Sequence, residues 1–329
     1  MSWIERNYDN YNLEKLNKYK LPVIKSINHL VEVLQITEKQ ERLYFSKEAR
    51  KRYLYRNVNI PKRNGGIRVL NVPILSLKLI QKAINNVILS GFKMSNEANA
   101  YIKRKSILTN ALPHENAQTL VKIDIKDFFP SINFKHVYNQ FRFFGYGEYV
   151  SKYLSLLCLD GDLKLPQGAP TSPAISNLIS IKMDRRISAY CNKKGYTFTR
   201  YADDITISSK SKLNFNEIIS MKNFIKIVFQ ENDFKINDEK FRYFYNGNKL
   251  EVTGVIVNNR ISAPKNKIRE IENAIRYISK YGLEDHMNHL ELKYNNYVGH
   301  LYGLANYIKM IDKKKGEVYL EELNKLNLL

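Results

Sequence analysis

Tyr196-Thr197-Phe198-Thr199-Arg200-Tyr201-Ala202-Asp203-Asp204-Ile205-Thr206-Ile207-Ser208 joins two short runs rich in aromatic and β-branched residues at a pair of acids. The pattern predicts a β-hairpin with two carboxylates at its tip. Adjacent like charges at a turn repel, so the pair points to a positive species held between it and a third acid. Asp124, in Leu120-Val-Lys-Ile-Asp-Ile-Lys126, is the best candidate. Val121, Ile123 and Ile125 alternate there with Lys122, Asp124 and Lys126, which puts Asp124 on the polar edge of a half-buried strand. A strand carboxylate and a hairpin pair, side by side in one sheet, make an oxygen-only site suited to two hard divalent cations. Such sites move phosphoryl groups.

Working outward, composition narrows the partners. Lys and Arg outnumber Asp and Glu by 53 to 32, a formal charge of +21, and the surplus is spread along the whole chain. It is interleaved with 23 Tyr and 15 Phe, which suits a polyanion whose bases can stack. A hydrophobic share of 44% over 329 residues is enough to fill a large core split into subdomains. The two cysteines, Cys158 and Cys191, lack metal-ligand spacing and point to a reducing cytoplasm. No apolar segment approaches membrane-spanning length, and Met1 to Asp9 shows no basic cap followed by an apolar run. A cytoplasmic protein with no membrane partner is the expectation.

Upstream of the acids, residues 1 to 50 read as a helical lead-in with Leu30, Val31, Leu34 and Leu43 as core contacts. Tyr53 to Leu70 holds two strand-like runs about Lys62-Arg63-Asn64-Gly65-Gly66, a hairpin whose Lys62, Arg63 and Arg68 could close over a triphosphate. Pro73 introduces a helix over Ile74 to Ile84. Asn110 and His114, four residues apart, make no metal site by themselves and read as a packed or capping pair. Beyond Asp124, Asp127-Phe-Phe-Pro130 ends the strand; Phe129 would set a rigid ring near a substrate sugar, while at least one of Phe128 and Phe129 belongs to the core. Residues 131 to 165 look helical and polar-faced.

Leu165-Pro-Gln-Gly-Ala-Pro-Thr-Ser-Pro173 is a rigid loop in which Gly168 permits close backbone approach and Gln167 offers an amide to a nucleotide. After the carboxylate hairpin come an amphipathic helix over Phe215 to Phe229, Lys240 as a candidate proton donor to a leaving pyrophosphate, and Lys249 to Val257, read as one strand with a central glycine bulge. A last helical region follows Pro264, with one stripe of Ile268, Ile271, Ile275 and Ile278 and another of Tyr294, Tyr297, Leu301, Leu304 and Ile308. These stripes are core first; the basic faces opposite them are nucleic-acid contacts.

The basic hairpin, the Asp124 strand, the Pro-Gln-Gly loop and Tyr201-Ala202-Asp203-Asp204 occur in the order and spacing of reverse transcriptases. Asn110-Ala-Leu-Pro-His114 and Val252-Thr253-Gly254 resemble two elements of bacterial retron reverse transcriptases, as does Leu21-Pro22-Val23. The resemblance implies an α+β right-hand polymerase fold: lead-in and fingers over 1–118, a palm with a small antiparallel sheet over 119–262 from which 131–165 returns to the fingers, and a helical thumb over 263–329. It further implies two Mg²⁺ ions held by Asp124, Asp203, Asp204 and the Ile125 carbonyl, with Lys240 as general acid. Lys62, Arg63, Arg68, Asp127, Phe129, Gln167 and Gly168 would meet the dNTP, with Phe129 as the sugar gate. Asn110, His114, Val252, Thr253 and Gly254 would belong to recognition of a cognate structured noncoding RNA. The implied activity is copying part of that RNA into branched, RNA-linked single-stranded DNA, in antiphage defence with an effector protein of the same operon. A group II intron-like bacterial reverse transcriptase and an RNA-binding scaffold that restrains an effector are the competing readings.

Overall fold

A computed structural model describes residues 9–61, 65–291 and 296–328. It begins with four short helices, Leu13–Lys18, Ile27–Val33, Glu38–Phe45 and Lys47–Tyr53. Helices this short do not persist alone in water, so their caps and burial matter. Asn12, Ser26, Thr37 and Ser46 each accept a backbone N–H at an N-terminus, and Thr37 with Gln40 forms a capping box. Leu16, Leu30 and Tyr44 then sink into the main core. The Arg50 guanidinium, buried, donates to the carbonyls of Leu156, Leu159 and Asp160 at 2.9, 3.2 and 2.9 Å, tying the lead-in to the helix Glu148–Cys158.

Strands β1 (Tyr55–Pro61) and β2 (Ile67–Pro73) form the expected antiparallel hairpin, with Ile60 opposite Arg68. The predicted helix follows as Leu75–Ile84, with Leu77, Ile80 and Ile84 on its buried face. Residues 131–165 supply the helices Phe134–Phe144 and Glu148–Cys158. The second is not polar-faced as expected: Val150, Leu154, Leu157 and Cys158 are all buried, because it packs against the lead-in helices and the helix after β2 at once.

Four strands make the central sheet: β3 (Thr119–Asp124), β4 (Thr197–Tyr201), β5 (Asp204–Ser209) and β6 (Arg242–Tyr245), in the order β4-β5-β3-β6, every pair antiparallel. Alternation along β3 assigns its two faces. Val121 and Ile123 point into the main core with Met183 and Ile187 of the helix Ser172–Lys194 and with Ile218 and Ile225 of the helix Phe215–Gln230. Leu120 points the other way, into a smaller core with Ala111, Leu250, Val252 and Val255.

That smaller core corrects one expectation. Lys249 to Val257 is not a single bulged strand but a hairpin of β7 (Glu251–Val252) and β8 (Val255–Ile256), with Val252 opposite Val255. Thr253 and Gly254 both have positive φ, 46° and 90°, as a two-residue turn that follows strand twist requires. From Ala263 onward a separate core forms around Ile271, Ile278, Leu301, Leu304, Ile308 and Leu323, contributed by the helices Lys265–Tyr281, Tyr297–Ile311 and Lys313–Lys325. Both predicted stripes feed it, except Tyr294, which lies outside the described residues. Among the described residues no helix is long and apolar enough to cross a membrane.

Candidate active site

The β4–β5 turn has only two residues, Ala202 and Asp203, because Tyr201 pairs with Asp204. Asp204 therefore opens β5 instead of sitting at the tip, and its strand register places it opposite Asp124, the last residue of β3. The Asp203 carbonyl accepts the Ile125 N–H at 3.0 Å, so the turn is stitched to the end of β3. Three acids distant in sequence thus share one end of one sheet.

Asp124 is the most sheltered, 4% exposed. Its Oδ1 accepts from Asn237 Nδ2 at 3.0 Å and its Oδ2 from Lys240 Nζ at 2.7 Å. Both partners come from the segment before β6, which is held in place when Asn237 N–H donates to the Asp124 carbonyl at 2.9 Å and Ile236 bridges Ile125. Burial pushes the Asp203 carboxyl above its usual range, reinforced by the charge of Asp124. Asp204 still reaches solvent, yet the protein around it and the charges of Asp203 and Asp124 push it up to about 6. Partial burial would lower Lys240, but its hydrogen bond to Asp124 and the charges of all three acids raise it instead.

Crowded carboxylates of this kind are stabilised by positive charge, and their all-oxygen donor set fits a hard divalent cation. As they stand, no three His, Cys, Asp or Glu side chains among the described residues are drawn together into a metal cage. Asp124 turns its oxygens to Asn237 and Lys240, so an ion there would compete with the lysine for the same lone pairs.

Asp124 and Lys240 border two cavities. The larger, of about 800 Å³, is lined by Arg68, Asp127, Phe129, Gln167 and Asp203 among others. Asp127 holds a left-handed backbone, φ 49°, where β3 gives way to the turn Phe128–Ser131. Phe128 is buried and Phe129 half-buried beside it, their ring centroids 5.5 Å apart. The Gln167 carbonyl accepts the Asn71 N–H at 2.8 Å, joining the Pro-Gln-Gly loop to β2. Gly168 follows at φ +124°, where an added Cβ would stand 3.2 Å from the Asn71 carbonyl oxygen. Lys62 and Arg63 lie outside the described residues. The smaller cavity, of about 340 Å³, is lined by Lys122, Asp204, Thr206, Arg242, Thr253 and Gly254 among others.

The remaining predicted residues lie behind this face. Asn110, His114 and Val252 are buried, so their side chains meet protein and not a ligand. His114 holds Ser208 Oγ at 2.7 Å and Thr199 Oγ1 at 2.8 Å, the packed role expected of an isolated histidine. Asn110 Nδ2 donates to Thr253 Oγ1 at 3.3 Å, and Thr253 Oγ1 donates to the Ile107 carbonyl at 3.2 Å. The two short elements picked out as retron-like therefore touch each other, and the first supports the left-handed Thr253 of the second. Two site residues escaped sequence reasoning. Asn237 belongs to no motif, and Tyr101, φ 62°, brings its ring 6.2 Å from Phe129 through a turn that no local pattern announces.

Residues 60–257 match the family model described as reverse transcriptase (RNA-dependent DNA polymerase). The chain is 30% identical over 322 residues to the retron Mx65 reverse transcriptase of Myxococcus xanthus, covering 92% of this chain and 72% of that one. It is 32% identical over 304 residues to the retron Mx162 reverse transcriptase of the same organism, of whose length it spans 61%. With the retron Ec86 reverse transcriptase of Escherichia coli it shares 28% over 318 residues, covering 96% of this chain and 93% of the relative. The solved structure of telomerase from Candida albicans with a TWJ fragment of telomeric RNA aligns at a TM-score of 0.47 and 9% identity, over 92% of this chain and 68% of that one. With the family model spanning well over half of its length, the chain belongs to the reverse transcriptases, alongside those of bacterial retrons, and is an RNA-directed DNA polymerase with the α+β right-hand fold.

Proposed function

We propose that this polymerase copies part of its own structured noncoding RNA into single-stranded DNA that stays branched to the RNA, priming from a ribose 2′-hydroxyl of a guanosine. The meeting of Asp124, Asp203 and Asp204 at one end of the sheet, between two cavities, carries the catalytic part of this reading. Asp124, Asp203 and Asp204, with the Ile125 carbonyl, would hold the divalent cations that a reverse transcriptase uses, and two Mg²⁺ ions fit their oxygen-only chemistry. Bound there, such ions supply the activation of the ribose hydroxyl and the charge neutralisation that phosphoryl transfer needs.

The chain's own residues do the rest. Arg68 reaches the larger cavity from the fingers hairpin, where it would grip the triphosphate with Lys62 or Arg63. Phe129 stands in the same cavity as the sugar gate, and Gln167 with Gly168 and Asp127 borders the nucleotide. Lys240, already within hydrogen-bond reach of Asp124, would donate a proton to the departing pyrophosphate. The smaller cavity, roofed by Thr253 and Gly254, would take the priming end, so that it meets the nucleotide across Asp124. Asn110 and Val252 would serve recognition indirectly, by holding that roof, and His114 by fixing Thr199, whose hydroxyl donates to the Asn110 carbonyl.

In this reading residues 1–118 form lead-in and fingers, 119–262 the palm, with 131–165 returning to the fingers, and 263–329 the thumb. A basic concavity of about 610 Å³ where palm meets thumb, lined by Arg260, Lys265, Arg269 and Lys313 to Lys315, suits the phosphate backbone of the cognate RNA. Antiphage defence with an effector protein of the same operon, in the cytoplasm, extends the likeness to retron enzymes.

Purifying the chain from its host and sequencing the nucleic acid that accompanies it tests the proposal. One short structured RNA joined to DNA through a 2′,5′ linkage is expected; heterogeneous RNA without that linkage refutes it. Asp203→Asn should abolish extension while RNA binding stays within about threefold.

A further inference from the structure

Arg200, immediately before the Tyr-Ala-Asp-Asp run, is fully buried, and so is Asp184 on the helix Ser172–Lys194. The pair is bidentate: Arg200 Nε donates to Asp184 Oδ1 and Nη2 to Oδ2, both at 2.7 Å. The remaining arm, Nη1, donates to Asn177 Oδ1 at 3.1 Å and to the carbonyl of Ala202 at 3.0 Å. Asp184 is held in turn by Ser95 Oγ at 2.5 Å, and Asn177 by donating to the Ala100 carbonyl at 2.9 Å.

Two physical facts make this more than packing. A buried ion pair is a weak source of stability, because desolvating both charges offsets most of their attraction, and apolar residues of similar volume often serve as well. What the guanidinium supplies and an apolar side chain could not is a directed donor to one carbonyl. That carbonyl belongs to Ala202, whose φ of 59° is unfavourable for a residue with a Cβ and persists only where its surroundings impose it. The next residue is Asp203, tied on its far side by the Ile125 N–H.

We propose that Arg200, clamped by Asp184 and Asn177, is a positioning residue that fixes the left-handed Ala202 and so aims the Asp203 carboxylate at Asp124. The inference rests on the catalytic reading of the three acids. It places the anchor of the turn on the helix Ser172–Lys194, in the buried core behind the three acids.

Arg200→Lys keeps a buried cation for Asp184 but cannot reach the carboxylate, Asn177 and the Ala202 carbonyl at once. With folded, RNA-bound protein, kcat for single-nucleotide extension should fall roughly 30-fold while KM for dNTP stays within about twofold, since a displacement near 1 Å can cost 100-fold. Mn²⁺ binding followed by electron paramagnetic resonance should weaken about tenfold, a readout independent of turnover. Values of kcat and Mn²⁺ affinity both within about twofold of the wild type would overturn the proposal. Should Arg200→Lys not fold, Asn177→Ala decides, with losses in both quantities of about threefold expected and unchanged values overturning it. Asp203→Asn separates the two levels: if it extends primers normally, the catalytic reading itself fails, whereas an inactive Asp203→Asn beside an unaltered Arg200→Lys removes only the positioning role.

Discussion

Lys240 Nζ lies 2.7 Å from Asp124 Oδ2 across 116 residues of sequence, with the lysine side chain largely in solvent and the carboxylate 6% exposed. The contact binds the segment before β6 to the end of β3 and sets an exposed ammonium at the boundary of both cavities. Lys240→Met should lower kcat for nucleotide addition roughly 100-fold with a small effect on dNTP KM, as expected for loss of a proton donor. Steady-state extension by one nucleotide measures both; an unaltered kcat would leave the lysine a merely structural partner of Asp124.

Phe129 leans on the core with one face and borders the larger cavity with the other. Truncation to alanine removes the bulk that would meet a ribose 2′-hydroxyl, so Phe129→Ala should reduce the preference for dNTP over rNTP by about tenfold or more. Competing incorporation of the two nucleotide types reads the ratio directly, and an unchanged ratio takes the gate away from Phe129.

His114 gives a pH dependence whose sign can be worked out. Burial, and next the charge of Lys210, lower it from 6.5 to about 3. Between those values the unfolded chain binds a proton that the folded chain refuses, so the stability contributed by the neutral ring is complete above pH 6.5 and is lost as pH falls toward 3. The slope is about 1.4 kcal/mol per pH unit for this one group. His114→Gln should be less stable than the wild type at pH 8, because the Ser208 and Thr199 hydroxyls lose their partner, yet should lose less between pH 6.5 and 4. Chemical denaturation at several pH values would show parallel curves for the two proteins if this account is wrong.

Gly168 combines a φ of +124° with a near neighbour, the Asn71 carbonyl. Gly168→Ala strains the loop by about 1 kcal/mol and presses it away from β2. Because Gln167 rides on that loop, dNTP KM should rise several-fold with RNA affinity unaltered. A filter-binding assay beside the kinetic one distinguishes this from general unfolding.

Much of the protein was legible in the chain because its signals are local. Alternation gave β3 and the β4–β5 hairpin, the Gly65-Gly66 turn gave β1–β2, and helical stripes gave the C-terminal core. Lys249 to Val257 was misread for a physical reason. A β-branched Thr253 at positive φ is disfavoured by its own sequence and is imposed by Asn110 and Ile107, which lie over 140 residues away.

The sequence by itself determined which groups carry charge and which faces are apolar, and hence a phosphoryl-transferring enzyme with a strand acid and a hairpin pair of acids side by side in one sheet. Only the tertiary structure decided how those acids are held: Asp204 in register with Asp124, Asp203 tied through Ile125, Asp124 engaged by Asn237 and Lys240, and Arg200 buried against Asp184. Hydrophobic periodicity is written within a dozen neighbouring residues, whereas a directed hydrogen bond depends on where two distant segments come to rest, and no local pattern encodes that distance.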